Sequence, residues 1–413
     1  MTQTTATTPR PLPADLERWP DPYPWLGDLR EAGTVQLVRL RGGLNAWMVT
    51  RYDDVLAALS DPRLSSDPRN AKGLLEAHGA YRRRTGDDFA LSMLSSDPPD
   101  HTRLRRLVSR AFTARRVDRL RPRVAEITND LLDTIGPRGA ADVVADYALP
   151  LPVSVICELL GVPAADRDRF RHWSSELLTP PVDESAVNRS LAARQELFGY
   201  LRKLVARRSV ERSDDLLSDL LEAGDEGRLS DDELVAMGVL LLVAGHETTV
   251  NLIGTGVLLL LRHPEQRAAL RADGTLLPGA VEEFLRFDGP VMLGLMRYAI
   301  DDVEIGGVLI PRGQVAVLST GAANRDPARF DRPDLVDITR RDNGHVAFGH
   351  GIHYCLGAAL ARLEGEIAIG ALIRRFPDLA LAVPDAELVW RPNVIRGLDR
   401  LPVTFTPPRP GLA

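Results

Sequence analysis

The sequence predicts a mainly α chain with small β-sheets, an α+β protein organised around one long buried helix. Three observations carry this. From Arg51 onward, apolar residues recur with helical rather than alternating spacing over most of the chain. One segment, Asp231–Leu261, keeps that spacing for about 45 Å at 1.5 Å per residue. Its middle is apolar on every side, the pattern of a helix with no solvent face. Short β-branched runs are confined to the first fifty residues and the last third of the chain.

Taken in order, residues 1–20 are Thr- and Pro-rich and read as a flexible leader. No apolar run follows a basic start there, so neither a signal peptide nor an anchor is expected. Val35–Leu40 and Ala46–Thr50 form a strand pair around Gly42-Gly43. Helices follow at Thr102–Phe112, Pro122–Ile135, Pro152–Leu160, Glu184–Val210 and Asp214–Ala223. The central helix opens on Ser230 and Glu233, a capping box, and Pro264 follows its end. Pro264–Ala272 and Gly279–Phe287 are helical, and Val291–Leu318 is β-rich with turns at Gly306-Gly307 and Pro311-Arg312-Gly313. Leu356–Phe376 is a helix stopped by Pro377, which has no N–H to continue it. Leu379–Val383 and Leu401–Phe405 make a last strand pair. The long buried helix and the lack of any Ser/Gly-rich linker argue for a single domain over residues 21–413.

Composition narrows the function. The chain has 413 residues, 44% hydrophobic and 26% charged, with a net charge of −6. That excludes disorder, collagen-like structure and a disulfide scaffold, and argues against a nucleic-acid binder, since those are usually basic. The two cysteines, Cys157 and Cys355, suit a reducing, cytoplasmic compartment. The apolar run Leu234–Gly245 falls short of the roughly 20 residues needed to span a bilayer and meets His246 and Glu247, so no membrane segment is expected.

The sharpest local feature is Phe348-Gly349-His350-Gly351-Ile352-His353-Tyr354-Cys355-Leu356-Gly357. The glycines relax the backbone just before Cys355, as a sharp turn or close ligand approach requires. A helix begins directly after, and its N-terminal partial charge, with N–H groups such as those near Gly357, favours a thiolate. Such a thiolate is a metal ligand or a nucleophile. A small buried hydrophobe is the plain alternative for Cys355 and the reading adopted for Cys157. Zinc held by His345, His350, His353 and Cys355 is a further alternative, atypical in having one thiolate with three imidazoles.

Phe348-Gly-x-Gly-x-His353-x-Cys355-x-Gly357 resembles the haem-binding loop of the cytochrome P-450 family, the haem-thiolate monooxygenases. Ala244-Gly245-His246-Glu247-Thr248-Thr249 is similar to the oxygen-activating stretch of that family's central helix, and Glu283-Phe284-Leu285-Arg286 to its Glu-x-x-Arg motif. The likeness extends through Asp97-Pro-Pro-Asp-His101-Thr-Arg-Leu-Arg105 and Asn324-Arg-Asp-Pro327, over all but about the first twenty residues. It is strongest to soluble actinomycete members of secondary metabolism.

The resemblance implies the P-450 fold, with haem b between the central helix and the cysteine loop. It implies Cys355 as the axial ligand to iron, Phe348 beside the sulfur, and His101, Arg105, Arg297 and His353 as partners of the haem carboxylates. Ala244 and Gly245 would leave room beside the iron, and Gly357 would lie at the cofactor. Thr248 and Glu247 would serve as the hydroxyl and the acid of proton delivery. Thr248 is placed to bond back to the carbonyl of Ala244 or to leave it. Glu283 and Arg286 would form a buried core pair, usually with a third cationic residue. The position commonly held by that cation is Leu335 here, with Arg329 or Arg332 as substitutes.

The same resemblance implies substrate contacts from Phe89, Leu91, Leu94, Leu240, Ala244, Val291, Met292, Leu293, Gly294, Leu295, Val394 and Ile395, with Gly294 widening the pocket. The reaction implied is insertion of one atom of O2 into a C–H or C=C bond of a bulky apolar molecule, such as a polyketide, macrolide or terpenoid. Electrons would come from NAD(P)H through a ferredoxin and its reductase. The alternatives are a peroxide-dependent haem-thiolate enzyme and a non-catalytic haem sensor or helper of a biosynthetic partner. Residues 101–123 hold nine arginines and one acid, Asp118. Arg103, Arg106 and Arg110 form one helical stripe suited to an acidic ferredoxin, while Arg105 turns inward.

Overall fold

The computed structural model describes all residues except 1–7, 14–15, 17–18, 41–42, 79–91, 111, 179–182, 223–228, 295, 392–394 and 409–413. The chain divides into two compact units. One holds Met1–Leu104, Val291–Asp334 and His345–Cys355, and the other Arg105–Pro290, Leu335–Gly344 and Leu356–Ala413.

The first unit is built on a sheet in the order Arg10–Pro11, Val35–Arg39, Asn45–Val49, Val315–Leu318, Met296–Ala299, Leu64–Ser65. The expected hairpin pairs Val35 with Val49 and Arg39 with Asn45. Alternation along Asn45–Val49 gives the sheet two covered faces. Ala46 and Met48 join a core with Leu26 and Leu29 of helix Tyr23–Ala32. Trp47 and Val49 meet Val55 and Leu59 of helix Tyr52–Ser60 on the opposite face. A separate two-stranded ribbon, Val303–Ile305 with Val308–Ile310, turns at Gly306-Gly307 as expected.

The second unit is helical. Its axis is Asp231–Arg262, opened by the reciprocal capping box of Ser230 and Glu233 and buried along most of its length. By length and composition this helix could cross a membrane, but 83% of its most apolar stretch is buried inside the protein. The apolar character therefore continues past Glu247, beyond the short run singled out in the sequence. Glu184–Val210 and Pro264–Ala272 have the expected bounds. Arg121–Ile135, Pro150–Leu159, Leu277–Asp288 and Ala358–Arg375 start or stop within two residues of expectation. The last strand pair, Ala380–Leu381 with Pro402–Thr404, forms and continues onto Ala140–Asp142. A π-helical turn, Val143–Ala148, was not expected; Asp142 caps it by accepting from the N–H groups of Val144 and Ala145.

Candidate functional site

The loop ending at Cys355 belongs to the first unit and is held at several points. Val346 N–H donates to Asn324 Oδ1 at 2.8 Å, and Tyr52 N–H donates to Asp326 Oδ2 at 2.9 Å. The Asn324-Arg-Asp-Pro segment thus ties the start of the loop to helix Tyr52–Ser60. Within the loop, Gly349 N–H reaches the Val346 carbonyl at 2.9 Å and Cys355 N–H the Phe348 carbonyl at 2.9 Å. Gly351 sits at φ 69°, and a Cβ there would lie 2.9 Å from the Leu59 carbonyl oxygen. Conformation and space both require glycine. Cys355 emerges half-buried, three residues before helix Ala358–Arg375, whose N-cap is Gly357. Cys157 is the opposite case: buried in helix Pro150–Leu159, with burial pushing its thiol up to about 12.

Arg297 lies on strand Met296–Ala299, 3% exposed. Its Nη1 donates to the Met296 carbonyl at 3.1 Å, while Nη2 has no partner among the described residues. Burial lowers its pKa to about 10, with Asp97 the main opposing charge. A buried guanidinium with an unanswered donor is a site for an anion, because such a donor is costly to leave unpaired. His101 is also buried, its ring centroid 4.2 Å from that of His353. His353 Nε2 lies 2.9 Å from Ser66 Oγ. A cysteine at a glycine-shaped turn, an arginine with a spare donor and two imidazoles suit a metalloporphyrin with acidic side chains. Among the described residues, no three His, Cys, Asp or Glu side chains converge as a zinc centre needs.

In the second unit the middle of the central helix departs from its buried surroundings. Ala244 and Gly245 are exposed, although both neighbouring stretches are not. Thr248 Oγ1 donates back to the Ala244 carbonyl at 2.8 Å, and Thr249 Oγ1 to that of Gly245 at 3.1 Å. Glu247 is buried and has a charged partner, Arg391 Nη1, at 3.3 Å from its Oε2. His246 Nδ1 donates to the Leu242 carbonyl at 2.7 Å, and Nε2 stands 3.1 Å from Ser174 Oγ and 3.7 Å from Glu247 Oε1. Burial pushes the His246 pKa down, against the pull of Glu247.

Glu283 and Arg286 pair through two 2.8 Å bonds with neither side chain exposed. The third cation is neither Arg329 nor Arg332, which correct the sequence expectation by lying elsewhere. Arg329 stacks on the Tyr52 and Phe330 rings, and Arg332 pairs with exposed Asp331. Arg340 supplies the charge, its Nε 3.1 Å from Glu283 Oε2, and Asn343 Nδ2 reaches the same oxygen at 3.1 Å. Leu335 contributes only its carbonyl, which accepts from Arg286 Nη2 at 3.2 Å. Arg340, Asn343 and Arg391 were not found in the sequence. Their partners lie dozens of residues away, and no local spacing marks them.

The proposed substrate contacts divide. Leu94, Val291, Leu293 and Ile395 are half-buried, and Leu240 is buried. Met292 is buried as well, in a cluster with Val315, Val317 and Tyr298. Gly294 is a correction. At φ 78°, with a Cβ placed 1.5 Å from the Leu318 carbonyl oxygen, it is glycine because backbone passes against it, not to widen a pocket. Phe89, Leu91, Leu295 and Val394 lie outside the described residues. On helix Asp100–Ser109, Arg103 and Arg105 are half-buried and Arg106 exposed; Arg110, one residue beyond, is exposed too.

Comparisons with known proteins fit this geometry. The family model described as Cytochrome P450 matches residues 170–379. Cytochrome P450 107B1 of Saccharopolyspora erythraea is 52% identical over 91% of this chain and 92% of its own. The vitamin D(3) 25-hydroxylase of Pseudonocardia autotrophica is 51% identical, covering 94% of this chain and 95% of that one. The solved tirandamycin C-bound P450 monooxygenase TamI superposes with a TM-score of 0.88 at 41% identity, covering 96% and 100% of the two chains.

Proposed function

The chain belongs to the cytochrome P450 family and is a P450 monooxygenase of the bacterial secondary-metabolism type; from that premise we propose that it oxidises a bulky, mostly hydrocarbon small molecule with electrons relayed from NAD(P)H by a ferredoxin and its reductase. The observation that carries the reading is the glycine-shaped Cys355 loop in the same unit as Arg297, a buried cation with a spare donor. Haem b, ligated through a thiolate, would supply O2 activation, because thiolate donation favours O–O cleavage.

Cys355 would hold the iron and Phe348 would shield the sulfur, since a dry surround tunes such a ligand. His101, Arg105, Arg297 and His353 would hold the carboxylates, and the N–H groups near Gly357 would bear on the thiolate. Ala244 keeps the helix surface low. Thr248 holds a proton at Oγ1, parked on the Ala244 carbonyl and available to rotate outward. Glu247 moves protons between that hydroxyl and solvent, reached along the partly exposed Arg391.

Leu94, Leu240, Val291, Leu293 and Ile395, all aliphatic, support that substrate class, as do relatives whose names specify vitamin D(3) and tirandamycin C. Arg106 and Arg110 offer exposed positive charge to an acidic ferredoxin. Residues 21–413 form one catalytic domain in this reading, acting in the cytoplasm.

The test presents polyketide, macrolide and terpenoid panels to the haem-loaded protein with NADPH, ferredoxin and reductase. Binding should displace water from iron, seen as a blue-shifted Soret band, and products should carry one added oxygen atom. Turnover with peroxide alone, and none with the electron chain, would overturn the proposal.

A further inference from the structure

A compact polar cluster in the first unit stands behind His353 and Arg297. Strand Leu64–Ser65 pairs antiparallel with Met296–Ala299, Ser65 opposite Tyr298, so the same register carried one residue further sets Ser66 against Arg297. The Asp97 carboxylate then binds both serines. Oδ1 accepts from Ser66 N–H at 2.9 Å, and Oδ2 accepts a short bond from Ser65 Oγ. Ser65 Oγ also receives Asp67 N–H at 2.9 Å and Asn70 Nδ2 at 2.8 Å, which fixes the segment from its far side. Ser65, Ser66 and Asp67 are all buried, and Ser66 Oγ faces His353 Nε2 at 2.9 Å.

We propose that Ser66, held by Asp97, is a positioning residue that fixes the ring orientation and tautomer of His353. A buried hydroxyl has one proton to place. The only acceptor for the Ser66 hydroxyl among the described residues is His353 Nε2. Nε2 therefore accepts, and the imidazole carries its own proton on Nδ1, the ring nitrogen from which it donates to an anion. Without Ser66 the ring keeps its packing against His101 but loses the hydroxyl that holds Nε2 as an acceptor. Asp97 adds a second effect, as the negative charge nearest in influence to Arg297. The cluster thus builds the anion-holding face of the site before any anion arrives, which limits the ordering that binding must impose. This inference rests on the proposed role of His353 toward haem carboxylates.

The experiment uses the haem-loaded protein and reads haem loss to an excess of an apo-haem acceptor, not turnover. Ser66→Ala should speed haem loss about five- to tenfold, the worth of one hydrogen bond. In a His353→Phe background, where the ring remains and its nitrogens do not, the same change should alter the rate by less than about twofold, the non-additivity of residues acting as a unit. Nitrogen-15 spectra of histidine-labelled protein in the reduced, CO-bound state should show His353 protonated on Nδ1, and a tautomer mixture in Ser66→Ala. Equal acceleration in both backgrounds, no acceleration in either, or a native His353 protonated on Nε2 would each overturn the proposal. Failure of the native protein to give a thiolate-type Soret band would overturn the haem reading itself, a separable outcome.

Discussion

Glu364 offers a perturbation whose size can be worked from the structure. It lies on helix Ala358–Arg375, 2% exposed, hydrogen-bonded to Thr249, with Oε2 lacking a partner among the described residues. Burial pushes its pKa from 4.5 up to about 8. The neutral acid can donate to Thr249 Oγ1, whose own proton goes to the Gly245 carbonyl, whereas the carboxylate would be a buried charge facing a hydroxyl whose proton is already committed. Between these two pKa values the folded protein holds a proton that the unfolded chain releases. The stabilisation is therefore complete below pH 4.5 and is lost as pH rises through about 8. The slope is about 1.4 kcal/mol per pH unit, on the order of 5 kcal/mol across the window. Glu364→Gln keeps the shape and removes the titration. Its thermal midpoint, followed by far-UV circular dichroism, should match the native protein near pH 5 and exceed it by several degrees near pH 8.5. Every other titrating group is common to both proteins, so the difference isolates this one. A Tm difference that stays constant from pH 5 to 8.5 would refute the reasoning.

Three other outcomes follow from the same geometry. Arg340→Ala should destabilise by about 3–5 kcal/mol, because it leaves the buried Glu283–Arg286 cluster short of a cation, whereas Leu335→Ala should cost under about 0.5 kcal/mol, as surface changes do; denaturant unfolding measures both. Thr248→Ala should still bind haem and substrate and consume NADPH, but release most electrons as hydrogen peroxide, while Glu247→Gln should slow turnover with an altered solvent isotope effect; the ratio of product to NADPH distinguishes them. Charge reversal at Arg106 and Arg110 should slow ferredoxin-driven reduction most at low salt, where attraction is least screened, and spare peroxide-driven turnover.

What could be read from the sequence was what local spacing determines. The central helix was legible because a capping box and a following proline mark its ends, and burial gives it apolar residues all round. The Cys355 loop was legible because left-handed backbone at Gly349 and Gly351 has few solutions other than glycine. Arg340 was not, because the cation reaching Glu283 comes from five residues past the expected position, and the loop path decides which arginine arrives. Arg391 meets Glu247 across 144 residues of sequence. Helix Tyr23–Ala32 was missed because it is short and opens on Tyr23-Pro24 without a side-chain cap. Gly294 was misread because a glycine needed for an approaching backbone looks, in sequence, like one that makes room.

Every role proposed for the site depends on Cys355 being the ligand of haem iron. The measurement is the CO difference spectrum of the reduced protein, native and Cys355→Ala, at matched haem content. The native protein should show the strongly red-shifted Soret band of thiolate ligation, and the variant should lose it while keeping its far-UV circular dichroism. A native spectrum without that band, or a variant that retains it, would contradict the assignment.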